Sequence, residues 1–305
     1  MSYGLPYIMG IEGCIHDGWF VLRDYEQNFN KDYLCNLLIS DIVQKQYKKI
    51  AAGGVVQNIS SDLVNSVYIS IPSLDEQRKI AGLLSLIDER IATQNKIIED
   101  LKKLKSAIIE WHYGQVEKQN VCIGDLGEPF NVGNLAKEDL TETGMPCVIY
   151  GELFTTYGET ISQIESHTNK AEGMILSKKG DLLFPSSTTV DAMSLIAPSV
   201  INVDGVILGG DMFGIHITPN SNAQYLSYYF NHIAKRQLAK FAKGSTIIHL
   251  HYADIEKAKL LLPSLEEQNR MANCLISLDT KINIESIFIS LLNSQKAYLL
   301  RQMFI

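Results

Sequence analysis

His249 and His251 stand one residue apart. On a strand, that spacing would put both imidazoles on one face, where they could share a metal ion. Only two ligands are visible, and an internal repeat described below has Asn58 and Ser60 at the matching positions, so no metal is expected. Just upstream, Lys243-Gly244-Ser245-Thr246 has the composition of a phosphate-cradling turn. A P-loop follows a strand, however, and this turn follows a predicted helix. A helix C-cap with Gly244 in the left-handed conformation accounts for the glycine. Such an end can still present Lys243, Ser245 and Thr246 to DNA. Lysine and turn N–H groups suit phosphates, whereas Ser, Thr and neutral His exchange hydrogen bonds with base edges. The candidate DNA contacts are therefore Lys243, Ser245, Thr246 and His249, with Lys240 as a supporting phosphate contact.

The charge distribution supports this choice. The 305-residue chain has a formal net charge of −7, which argues against nucleic acid for the chain as a whole. Yet residues 212–253 contain Lys235, Arg236, Lys240 and Lys243 and no Asp or Glu, and four of the seven histidines (His216, His232, His249, His251) fall there. Ser186-Ser187-Thr188-Thr189 is polar and β-prone, and reads as a surface loop. No P-loop, G-x-S-x-G, H-E-x-x-H or G-x-G-x-x-G after a strand is present, nor an Asn-Pro-Pro-Tyr-like methyltransferase segment. No catalytic residue and no cofactor is assigned.

Five cysteines (Cys14, Cys35, Cys122, Cys147, Cys274) lie far apart without C-x-x-C, against a zinc finger or a disulfide scaffold. No apolar run approaches the length of a membrane span, and the N-terminus lacks a basic signal-peptide start. A reduced, cytoplasmic protein without a membrane partner is expected.

The elements that must hold these residues come in two copies. Residues 71–91 (IPSLDEQRKIAGLLSLIDERI) match 262–282 (LPSLEEQNRMANCLISLDTKI) at an offset of 191 residues, without a gap from about Lys49 to the C-terminus. That period is too long for a solenoid and implies two copies of a domain-sized unit. Their fronts differ: 126 residues separate the first long helix from Lys240, against 48 before Lys49. About 78 residues are expected to be missing from the front of the first copy.

Each copy closes with a long helix. Ser73-Leu-Asp-Glu76 and Ser264-Leu-Glu-Glu267 are capping boxes, each just behind a proline. Ile80, Leu84, Ile87, Ile91, Ile98, Leu101 and Ile108 form a 4,3 seam with Gln94 and Lys105 as its polar members. Met271, Leu275, Leu278, Ile282, Ile289, Leu292 and Leu299 repeat it, with Glu285 and Lys296 at the matching breaks. This is coiled-coil spacing. It predicts helices near Leu74–Tyr113 and Leu265–Phe304, rods of roughly 54 Å packed antiparallel.

Between the rods, residues 117–262 read as mixed α/β. Val121–Ile123, Cys147–Tyr150, Asp181–Phe184, Leu195–Ala197, Met212–Ile217 and Ala258–Leu262 are strand candidates, and Gln224–Phe241 is a helix candidate. The first copy offers a helix over Lys31–Tyr47, the turn GGVVQN and a closing strand over Val67–Ile71.

The paired [IL]-P-S-L-[DE]-E-Q segment and the unit it closes resemble the specificity subunit of type I restriction-modification systems. The resemblance extends to IGDLGE at 123–128 and CVIYGELFTTYGE at 147–159. It implies an α+β fold in which mixed α/β target recognition domains alternate with two long α-helices packed as an antiparallel coiled coil. Residues 1–70 would be the C-terminal part of a first recognition domain, 71–116 the central repeat, 117–262 a complete second domain and 263–305 the distal repeat. The resemblance also implies a non-catalytic subunit that reads a half-site of a bipartite double-stranded DNA target. Modification (methyltransferase) subunits would dock on the helical spacer and a restriction subunit would join. Residues 1–70 are not expected to read a half-site unaided, so a second copy or a fragment of a specificity subunit would supply the missing part. Two other classes stand beside this reading. A non-DNA coiled-coil adaptor would lack salt-sensitive DNA binding, and a metal enzyme built on His249 and His251 would carry metal.

Overall fold

The computed structural model describes residues 4–16, 19–51 and 64–304. The GGVVQN turn, Asn58 and Ser60 lie outside the described residues. Five longer helices carry the architecture: α1 (Lys31–Ile39), α2 (Asp41–Ala51), α3 (Leu74–Gln115), α4 (Ala223–His232) and α5 (Leu265–Met303). The chain divides into two compact units, residues 1–100 with 281–305, and residues 101–280. No helix among the described residues is long and apolar enough to cross a membrane.

In the first unit, α1 begins where the Asn30 side chain accepts from the Asp32 and Tyr33 N–H groups at 3.1 and 3.0 Å. The Asn30 N–H donates to Gln77 Oε1 at 2.9 Å, and Gln77 Nε2 donates to the carbonyls of Asn28 and Pro72. A buried glutamine thus ties the start of α1 to the start of α3. The helix expected over Lys31–Tyr47 is broken at Ser40, whose backbone is extended and whose N–H and Oγ both bond the Leu37 carbonyl. That local bond competes with the helical ladder, as serine side chains can. Tyr33, Leu37, Val43 and Tyr47 from α1 and α2 meet Ala81, Leu84 and Phe304 in the core. The parts of α3 and α5 in this unit run antiparallel, with Lys296 Nζ on the Asp88 carboxylate at 2.6 and 2.8 Å and Gln94 on Glu285. The strand expected over Val67–Ile71 does not form. No backbone ladder among the described residues pairs with them.

The second unit holds the sheets. Strand order is β2-β12-β8-β10-β5 in one five-stranded sheet: Gly127–Asn131, Met212–Ile217, Asp181–Pro185, Ser199–Ile201 and Thr160–Ile161. It is β3-β6-β4-β11-β7 in the other: Leu140–Thr141, Ser166–Thr168, Met145–Ile149, Ile207–Gly209 and Ile175–Leu176. Two pairs stand apart: β1 (Gln119–Cys122) with β14 (Lys259–Leu262), and β9 (Ser187–Thr188) with β13 (Ile248–His249). The five residues of β8 are all buried, as a strand covered on both faces requires. Leu182 and Phe184 face a core shared with Phe213, Leu226 and Phe230, while Leu183 enters a second cluster with Val148 and Leu208.

Leu195–Ala197 is not a strand. Asp191 caps a short helix, Ala192–Leu195, by accepting from the Ser194 N–H at 2.7 Å, and the strand begins at Ser199. The helix read over Gln224–Phe241 stops at His232, because the N–H groups of Ile233 and Ala234 both converge on the Tyr229 carbonyl and end the regular ladder. Short turns over Lys235–Leu238 and Ala239–Phe241 follow. The portions of α3 and α5 in this unit are also antiparallel, with Lys105 on Asp279 and His112 on Glu267. Both long helices start at the expected serines. Ser73 and Ser264 accept from the Glu76 and Glu267 N–H groups at 3.4 and 3.3 Å. The reciprocal half of the second box is replaced, since the Glu267 carboxylate goes to His112 and Arg270.

Candidate nucleic-acid interface

Lys240 is exposed on the turn Ala239–Phe241, and Lys243, Ser245, Thr246 and His249 are exposed on the loop that follows. Two backbone bonds close that loop: the Lys243 N–H donates to the His249 carbonyl at 2.9 Å, and the His249 N–H to the Lys243 carbonyl at 2.7 Å. The chain can turn inside this ring because Gly244 has φ +116, and a Cβ there would lie 2.0 Å from the Ile247 carbonyl oxygen. Gly244 is therefore needed for the loop and not for a helix C-cap. The helix end is Ala242, in extended conformation.

The loop is anchored by β13 on β9, with Ile248 opposite Thr188 and His249 opposite Ser187, and by fully buried Leu250. This brings the Ser186–Thr189 run beside the candidate residues. Only its second half is surface: Ser186 and Ser187 are buried, and Ser187 Oγ donates to Asp211 Oδ2 at 2.7 Å, whereas Thr189 and Val190 are exposed. The helix Ala192–Leu195 packs on Ala239–Phe241 and on β13, completing the surface. Thr188 and Thr189 were legible as a polar run, but their adjacency to His249 depends on pairing across some sixty residues of sequence.

Asp254 was missed, because it falls just past the acid-free stretch 212–253. It pairs with Lys243 and also accepts from the His251 N–H at 3.0 Å. The Lys243 ammonium, with that N–H, holds the Asp254 carboxyl below its ordinary range. Of the four histidines in the stretch, His216 is engaged with Asp181 at 2.6 Å over the Phe130 ring, and His232 with Glu159 at 2.9 Å. His249 and His251 remain at the surface, their rings 6.1 Å apart and nearly parallel. No third ligand joins them among the described residues.

A polar network with Lys105 and Tyr228 buried and Glu159, His232 and Asp279 half-buried ties α4 and the chain at Glu159 to α3 and α5 within this unit. Lys105 on α3 donates to Glu159 Oε2 at 3.0 Å and to Asp279 Oδ1 on α5 at 2.6 Å. His232 donates to the other Glu159 oxygen, and the Tyr228 hydroxyl donates to Asp279 Oδ2 at 2.5 Å. Burial pushes the Glu159 carboxyl up, but the His232 hydrogen bond and the Lys105 ammonium more than offset this and hold it at about 2.

Residues 8–103 and 115–291 match the family described as type I restriction modification DNA specificity domain. The chain belongs to this family. It is 26% identical over 264 residues to the type I restriction enzyme MjaVIII specificity subunit of Methanocaldococcus jannaschii, covering 78% of this chain and 61% of that one. It is 25% identical over 284 residues to the putative MjaX specificity subunit of the same organism, covering 87% of this chain and 65% of that one. The chain thus spans less than two thirds of the length of these relatives. Its fold resembles the crystal structure of the type I restriction-modification S subunit from M. genitalium, with a TM-score of 0.59, 17% identity and coverage of 90% of this chain and 72% of the other. The α+β architecture with paired long helices expected from the resemblance is that of the specificity family.

Proposed function

We propose that this chain is a non-catalytic DNA-reading subunit of a type I restriction-modification complex, engaging one half-site of a bipartite double-stranded target. The observation that carries the reading is the closed loop Lys243–His249, exposed beside Thr188 and Thr189 on a segment rich in lysine. Lys240 and Lys243 take phosphates, and Ser245, Thr246 and His249 reach base edges. Residues 117–262 act as a complete recognition domain, 71–116 and 263–305 as the helical spacer, and 1–70 as the rear part of another recognition domain. Modification subunits dock on the spacer and supply the methyl-transfer chemistry, and a restriction subunit joins them.

The test is co-purification with a modification subunit, followed by DNA binding across a salt series and by methylome sequencing. Salt-sensitive binding is expected, with no methylation or a simple pattern derived from one half-site. Binding without salt dependence, or none, returns the chain to the class of coiled-coil adaptors.

A further inference from the structure

Around β13 burial alternates as it does in a half-buried strand. Ile248 packs on the core and Leu250 is fully buried, while Ile247 and His249 are exposed. Alternate residues of an extended segment share a face, so Ile247 stands on the outward face with His249. It is 50% exposed although it is a large apolar side chain. Its backbone is held in place, because the Ile247 carbonyl lies against Gly244 inside the ring that Lys243 and His249 close.

Val190 is 71% exposed and follows β9, the partner of β13, with its N–H donating to Thr188 Oγ1 at 3.2 Å. It leads into the helix Ala192–Leu195, which packs on both β9 and β13. Two exposed apolar side chains, far apart in sequence, thus flank the loop that carries Lys243, Ser245, Thr246 and His249. Single exposed apolar residues are ordinary on a protein surface, but phosphates and sugars are met by cations, hydroxyls and N–H groups, to which Ile247 and Val190 add nothing. The apolar group that a duplex presents on a base edge is the C5-methyl of thymine, in the major groove. Valine and isoleucine are stiff at χ1, so setting their branched carbons against a methyl costs little side-chain freedom.

We infer that Ile247 and Val190 read the C5-methyl of thymine, and that the half-site engaged here contains at least one T·A pair at this contact. The methyl of 5-methylcytosine is the same group. Thymine is assigned because every duplex carries it without prior modification. The inference rests on the DNA-reading role of the Lys243–His249 loop and adds to it the identity of a base.

The experiment uses the full chain co-purified with a modification subunit. Duplexes are selected by binding from a random library and resynthesised in two forms, one with uracil in place of every thymine and one with 5-methylcytosine in place of every cytosine. The uracil form should bind about threefold to fivefold more weakly for each methyl that is buried, with the same salt slope, since no phosphate contact changes. The 5-methylcytosine form should bind as the parent duplex does. Ile247→Ser with Val190→Ser should bind the thymine duplex as weakly as the parent protein binds the uracil duplex, and should no longer distinguish the two. Both side chains are exposed, so the thermal midpoint should hold. Equal binding of thymine and uracil duplexes by the parent protein, or discrimination that survives in the double variant, overturns methyl reading while salt-sensitive binding keeps the DNA role standing. Tighter binding of the 5-methylcytosine form without loss on uracil overturns the assignment to thymine. Absence of salt-sensitive binding to any duplex overturns the DNA role and this inference with it.

Discussion

The Gln94 side-chain amide donates to the Glu285 carboxylate, and the two residues are separated by 191 positions, the offset of the internal repeat. Each is therefore the other's counterpart. Two antiparallel helices bring counterparts into contact only where their repeats are in register, so the polar break in each seam marks that point within the first unit. The flanking ion pairs follow the same rule. Asp88 with Lys296 and Lys105 with Asp279 are one contact made twice, once in each unit.

Removing one member of the Gln94–Glu285 pair should cost more than removing both. Glu285→Ala leaves a buried amide without its acceptor, a loss of about 1–3 kcal/mol. Gln94→Leu with Glu285→Leu fills the seam with apolar surface and should restore stability to the parent level or above. Urea unfolding followed by helical circular dichroism measures both. A double variant weaker than either single replacement would show that the pair does more than set register.

The long helices were legible because a 4,3 spacing sustained over seven apolar positions matches the helical period and no strand period. The polar seam members were legible as register marks, although which residue each would meet was not. The breaks at Ser40 and Ile233 were hidden because each rests on a local backbone bond that competes with an otherwise good helical pattern. Val67–Ile71 has the composition of its strand counterpart and still forms no ladder, since a strand needs a partner that composition does not supply. At the candidate interface, Lys243, Ser245, Thr246 and His249 could be picked from their chemistry. Asp254 escaped because a stretch defined by lacking acids ended one residue too soon to reveal the carboxylate that Lys243 meets.

Lys243 is shared between Asp254 and any phosphate it contacts. Lys243→Ala should weaken binding to all DNA sequences alike and lower the slope of log K against log salt by about one. Asp254→Asn still accepts from the His251 N–H but frees the ammonium, and should tighten binding by roughly threefold to tenfold at low salt. Fluorescence anisotropy on random-sequence duplexes checks both. A weaker Asp254→Asn complex would place Lys243 away from the DNA.

Gly244→Ala should act on recognition more than on folding. The added Cβ meets the Ile247 carbonyl at 2.0 Å on a residue with φ +116, so the ring opens at a cost of about 1–3 kcal/mol. The loop is exposed, and the core below it ends at Leu250, so the thermal midpoint should move by only a few degrees. Ser245, Thr246 and His249 lose their fixed placement, and preference among duplexes should fall by about tenfold. His249→Ala should alter preference in the same assay without opening the loop. Unchanged preference in both variants would remove this loop from the reading surface.

Glu159 gives the second unit a defined acid sensitivity. Its carboxyl is held at about 2, against an ordinary value of 4.5, with Lys105 and His232 as its partners. A depressed carboxyl binds fewer protons folded than unfolded, so its contribution is present in full above about pH 4.5 and is lost as pH falls toward 2. The depression corresponds to roughly 3 kcal/mol at neutral pH. Glu159→Gln keeps the shape and can still accept one hydrogen bond, but it leaves the largely buried Lys105 ammonium with Asp279 alone. The variant should therefore be less stable than the parent at pH 7 by an amount of that order. The gap should narrow steadily below pH 4.5 and close near pH 2. Denaturant unfolding of both proteins at a series of pH values measures the gap directly, and a gap that stayed constant with pH would show that the network holds Glu159 by shape and not by charge.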